Sequence, residues 1–198
     1  MPNEMPPCLG ENLVDPLRRA AWQELVERLH ELSQEGGPLH GYAFHGTDVE
    51  AARWIADEGV QAGACHAQVV SDGPWLATEG THWATARVAA FYAEDRIEAT
   101  ENPDLGIAIV AARIEDIAEC GALAVDGQTL DMPVDTRLRL GEDGVWPAWE
   151  ASAQDWLACW EIMETLLVLG SVPAEKVSVI ADLEDVERLL SKASSPAP

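Results

Sequence analysis

Apolar residues at Leu17, Trp22, Leu25, Val26, Leu29 and Leu32 recur at helical spacing and predict an amphipathic helix over residues 15–35. Asp15 supplies its N-cap, Pro16 suits the first turn, and Gly36-Gly37-Pro38 stops it. Residues 1–14 carry four prolines or glycines and read as an irregular lead-in. Gly41 to His45 reads as a first strand. Asp48 then caps a short helix through Ala51, Ala52, Ile55 and Ala56, with Gly59 as its C′ residue. Residues 60–72 read as a loop, and Pro74 to Ala77 as a short strand opened by its proline.

A second helix is expected over 81–95, capped by Thr81, with Ala84, Val88, Phe91 and Tyr92 along one face. Leu105 to Ile114 is nearly continuous in apolar residues, as a buried central strand requires. Residues 115–148 hold short ambiguous pieces, with a turn at Gly141-Glu142-Asp143-Gly144. The tryptophan-dense stretch that follows predicts a helix over 150–160. Thr165 to Val172 and Lys176 to Ala181 read as the last strands, hinged at Pro173. Asp182 caps a terminal helix through Val186, Leu189 and Leu190, and Ser194 to Pro198 is a frayed tail.

Helices do not alternate strictly with strands, so the pattern favours an α+β fold over a doubly wound sheet. It divides into an N-terminal extension with one helix (1–38), a main domain (39–192) and a tail (193–198).

Charge changes the picture most. Twelve basic against 35 acidic residues leave a net −23, which repels nucleic acid and anionic membranes. The acids are dispersed rather than gathered in a block. That pattern favours a solubility role over DNA mimicry or docking on a basic protein. No apolar run approaches the roughly 20 residues of a membrane helix. Met1-Pro2-Asn3-Glu4 lacks a basic segment followed by an apolar one, so the expected location is the cytoplasm. Cys8, Cys65, Cys120 and Cys159 form no C-x-x-C pair, so neither a zinc ribbon nor a disulfide framework is expected. Cys65, His66 and His82 match no metal-ligand spacing, and no metal is assigned.

Four stretches carry the chemistry in order: Phe44-His45-Gly46-Thr47, Gly73-Pro74-Trp75-Leu76-Ala77-Thr78, Phe91-Tyr92-Ala93, and Glu164-Thr165-Leu166-Leu167-Val168 running into Gly170-Ser171-Val172-Pro173. Taken singly, each has a plain structural reading: a strand-end histidine that caps a helix, core aromatics, one acid among 35. As an ordered set over residues 39–181, they resemble the ADP-ribosyltransferase superfamily, in its diphtheria-toxin-like His-Tyr-Glu branch. Poly(ADP-ribose) polymerases belong to that branch. Its pattern is a strand ending in His-Gly-[Ser/Thr], a Gly-x-Tyr-[Phe/Leu]-[Ala/Thr] strand, a helix ending near a further Tyr, and a late Glu opening a strand.

The resemblance implies a split, mostly antiparallel sheet with a cleft for NAD. It implies that His45 hydrogen-bonds the ribose, and that Gly46, with Thr47 beside it, offers backbone groups to the nicotinamide carboxamide. Trp75, standing where the family has Tyr, would sandwich the nicotinamide ring with Tyr92. Glu164 would stabilise the positive charge that develops as nicotinamide departs. Glu161 lies three residues earlier, and Glu164 is preferred because it directly precedes the apolar strand. One of Arg53, Arg87 and Arg113 would pair with the pyrophosphate.

The implied activity is transfer of ADP-ribose from NAD to a protein or small-molecule acceptor. The alternatives are an NAD glycohydrolase, an RNA 2′-phosphotransferase-like enzyme, which the charge disfavours, and a non-catalytic acidic module that binds a basic partner.

Overall fold

The computed structural model describes residues 16–62, 80–100, 106–124, 156–157, 160–161 and 164–193. Its elements in chain order are α1 (Pro16–Ser33), β1 (Tyr42–Asp48), α2 (Val49–Glu58), β2 (Thr81–Ala84), α3 (Ala86–Thr100), β3 (Ile107–Arg113) and α4 (Ile114–Ala118). They continue with β4 (Ala122–Ala124), β5 (Thr165–Leu169), a 3-10 turn (Ala174–Lys176), β6 (Ser178–Ile180) and α5 (Leu183–Ala193). The strands form one sheet in the order β4-β5-β2-β1-β3-β6, antiparallel at every junction. Mixed helix and antiparallel sheet make this an α+β fold.

Pleat alternation sends successive residues to opposite faces, and each face has its own core. On one side Phe44, Ile109 and Ala111 pack with Leu25 and Leu29 of α1, the alanines of α3, and Val186 and Leu189 of α5. On the other, Ala43, Trp83, Val110 and Leu166 pack with Ile55 of α2, Ile117 of α4 and Val172. β3 is buried over Ile107–Ala112, as its unbroken apolar run requires. α1 buries Trp22, Leu25, Val26, Leu29 and Leu32 as its spacing predicts, whereas Leu17 is exposed.

Asp48 caps α2 as expected, its carboxylate accepting from the Ala51 N–H at 2.7 Å. Gly59 ends that helix at φ 79°, donating to the Ile55 carbonyl. Asp48→Ala should therefore destabilise the protein by about 1 kcal/mol in urea unfolding, the usual cost of a lost N-cap. An unchanged midpoint would remove the cap from the account.

Two expectations are corrected. Residues 81–84 are strand, and the helix starts at Ala86. Trp83 is buried among apolar residues of the sheet, and Ala84 is paired with both Phe44 and Thr165. Sheet burial therefore overrides a helical reading of an alanine-rich segment. The stretch 165–172 is also interrupted: β5 ends at Leu169, Gly170 follows at φ 157°, and Val172 returns only as an isolated bridge to Val60. The expected strand at 74–77 and the turn at 141–144 lie outside the described residues.

Candidate active site

β1 and β2 lie side by side but share the single register pair Phe44↔Ala84, whereas β1 pairs with β3 over seven residues. The β1–β2 junction is therefore the weak seam of the sheet. Backbone direction along β1 follows from the bonds at its two ends. Ile114 N–H donates to the Gly41 carbonyl and Val49 N–H to the Gly106 carbonyl. Because such bonds alternate along an antiparallel strand, odd-numbered residues of β1 address β3 and even-numbered ones address β2. Gly46 accordingly turns its N–H and C=O toward the seam, beyond the Phe44↔Ala84 pair.

His45 spans the seam with its side chain. Nδ1 lies 2.8 Å from the His82 carbonyl, which only accepts, so Nδ1 carries the proton. The imidazole stands 5.9 Å from the Trp83 ring, tilted by 52°. Trp83 is fixed in turn by donating its Nε1–H to Thr81 at 2.8 Å.

On the opposite face α3 crosses directly over β1. A Cβ on Gly46 would sit 1.8 Å from the Ala89 carbonyl oxygen and 2.8 Å from the Ala93 nitrogen. Glycine at 46 thus has a packing reason independent of any ligand. Ala84 belongs to the core on this α3 face, and pleat alternation puts His82 on the same face. Tyr92 is half-buried on α3, edge-on to Phe91 at 5.7 Å.

Glu164 opens β5 at φ 60°, the one non-glycine residue with positive φ among the described residues. That conformation is unfavourable for a side chain with a Cβ and is held by neighbours. Its N–H donates to the Trp160 carbonyl at 3.0 Å, and its own carbonyl accepts from Thr85 N–H at 2.9 Å. Its carboxylate accepts from the Thr85 hydroxyl at 2.8 Å. Glu161, in contrast, is exposed. His45 and Glu164 are two strands and two register positions apart, about 12 Å by strand spacing.

The polar surroundings of Glu164 come from α1 and α3. Arg87 pairs with Glu27 at 2.7 Å, and its buried Nε has no hydrogen-bond partner among the described residues. This hydrogen bond holds the Glu27 carboxyl below its ordinary range. Burial, followed by the positive charge of Arg87, pushes His30 below the usual imidazole value, while Glu27 and Glu164 oppose that shift. Trp22 ties the same two helices together by donating to Glu94 at 2.6 Å. Of the other two arginines considered, Arg53 is exposed, and Arg113 is engaged with Tyr42 and Glu115.

Of the residues singled out from the sequence, His45, Gly46 and Thr47 lie together on β1, Tyr92 lies midway along α3, and Glu164 is bonded to Thr85 just before the start of that helix. The His45 ring lies on the other face, with Trp83. Trp75 lies outside the described residues. His82, weighed from the sequence as a metal ligand, lies beside His45, and Thr85, not singled out from the sequence, is bonded to Glu164, although Gly80-Thr81-His82-Trp83-Ala84 carries a legible glycine-and-aromatic pattern. No family model, curated protein or solved structure matches the chain. No group of three or more metal-ligating side chains occurs among the described residues, and no helix there is long and apolar enough to cross a membrane.

Proposed function

We propose that this chain transfers ADP-ribose from NAD to a protein side chain or a small molecule, releasing nicotinamide, on a fold of the ADP-ribosyltransferase type. The observation that carries the reading is the β1–β2 seam. Gly46 turns its backbone amide and carbonyl into it on one side of the Phe44↔Ala84 pair, and Glu164, beside Thr85 on the other side of that pair, holds a strained backbone conformation. A carboxamide needs one donor and one acceptor side by side, which a strand edge supplies.

The second strand of the pattern is better matched by Gly80-Thr81-His82-Trp83-Ala84 than by the segment around Trp75, with His82 in the tyrosine position. His82 then takes the stacking role given to Trp75. His45 fixes the His82 backbone through Nδ1 and so holds the strand beside Gly46.

In the reaction the C1′–N bond of the nicotinamide riboside breaks and its electron pair leaves with nicotinamide. Positive charge spreads over C1′ and the ring oxygen, and the acceptor then bonds to C1′ and loses its proton. A carboxylate at Glu164 stabilises that charge more in the transition state than in the ground state, which is what accelerates the step. A flat sandwich around the leaving group keeps water away from the reacting carbon.

The test is nicotinamide release from NAD by the purified chain, with and without cell extract, followed by mass spectrometry for ADP-ribose adducts. Extract-dependent release with adducts is the expected result. Release without adducts would make the protein a glycohydrolase, and no release would remove the reaction. The non-enzymatic rival is an acidic module that docks on a basic protein, drawing on the net charge of −23. Partner binding that weakens steeply with salt and ignores Glu164→Gln would support it.

A further inference from the structure

We propose that Thr85 is a positioning residue for Glu164 in the transfer reaction; the inference rests on the transferase reading above. Thr85 sits at the junction of β2 and α3 and holds Glu164 at two points. Its hydroxyl donates to Oε2 at 2.8 Å, and its N–H donates to the Glu164 carbonyl at 2.9 Å. The first bond orients the carboxylate, and the second holds the peptide that follows a left-handed residue. A left-handed glutamate persists only where its surroundings over-determine it.

The side chain is suited to the task. A β-branched residue has few χ1 states, so its hydroxyl is aimed without a large loss of freedom. A neutral donor to a carboxylate also leaves the negative charge in place, which an arginine or lysine partner would offset. Thr85 is in turn tied to α3, since its carbonyl accepts from Ala89 N–H at 2.9 Å. Ala89 is the residue whose carbonyl lies against Gly46. One helix start thereby sets the separation between the Gly46 strand edge and the Glu164 carboxylate.

The test compares nicotinamide release by the full chain as wild type, Thr85→Val and Thr85→Ser. The isosteric valine is expected to lower kcat about tenfold, about 1.4 kcal/mol of barrier, with KM for NAD within about twofold. Serine should restore most of the rate. In a Glu164→Gln background, Thr85→Val should add no further loss, because the group it orients has already lost its charge. The NMR resonance of the Glu164 carboxyl carbon should move in Thr85→Val and return in Thr85→Ser. Wild-type kcat in the valine variant, or a serine variant as impaired as the valine, overturns the positioning role and leaves the transferase reading standing. A carboxyl resonance indifferent to both variants also overturns it. A wild-type protein that releases no nicotinamide overturns the reaction, and the role with it.

Discussion

Glu164→Gln should lower nicotinamide release about 100-fold or more and leave the protein folded, the largest functional effect that the proposed transferase reaction predicts. The substitution keeps the shape of the side chain and an oxygen that can still accept from the Thr85 hydroxyl at its present place. What it removes is the negative charge. Charge stabilisation aimed at a transition state carries about 10²–10³ in rate when a single element of it is deleted. The backbone bonds from Thr85 and to Trp160 do not involve the side chain, so urea unfolding should move little. KM for NAD should change less than kcat, because the ground-state ribose is uncharged. Glu161→Gln is the control: that residue is exposed and should stay within about twofold of wild type. Equal losses in the two variants, or a wild-type rate in Glu164→Gln, would remove Glu164 from the mechanism.

The largest effect on stability is expected at Gly46. Alanine there places a methyl group 1.8 Å from the Ala89 carbonyl oxygen and 2.8 Å from both the Ala89 carbonyl carbon and the Ala93 nitrogen. All three are helix backbone atoms, so no rotamer change relieves the clash. Either α3 lifts from the sheet or β1 bends away from β3, with which it is paired along its whole length. Overpacking of this kind costs typically 1–3 kcal/mol where side chains can yield. With backbone on both sides, Gly46→Ala should cost about 3 kcal/mol or more. Urea unfolding followed by circular dichroism reads this directly, and a loss below about 0.5 kcal/mol would contradict the packing. Activity should fall as well, since lifting α3 moves Thr85 away from Glu164.

How much of this was legible in the chain depended on the length of each signal. α1 spans 18 residues with five buried apolar positions at helical spacing, and α2 carries a cap at Asp48 and a stop at Gly59. β3 announces itself by an unbroken apolar run. These elements are specified locally, and the sequence reading located them. β2 is four residues long and runs almost directly into an alanine-rich helix. Two alternations are too few to outweigh that helical context, and Thr81 resembles an N-cap as well as a strand start. Its strand character comes from partners distant in sequence, Phe44 on one side and Thr165 on the other.

The same distinction divides the candidate site. The tetrapeptide around His45 and the glutamate at the start of β5 could be marked from sequence because each stands beside a recognisable strand. The reason for glycine at 46 could not, since the clash is with a helix more than 40 residues away. Nor could the bond between Thr85 and Glu164, whose partners are 79 residues apart. Contacts of that span are created by the β2–β5 register, and no local pattern encodes them.

The proposed NAD site at the β1–β2 seam is tested by titrating NAD into the isotopically labelled full chain and reading amide chemical-shift changes. Saturable shifts are expected at His45, Gly46, His82, Thr85 and Glu164, with β6 and α5 unaffected. No saturable shifts, or shifts confined to the far edge around β6 and α5, would contradict it.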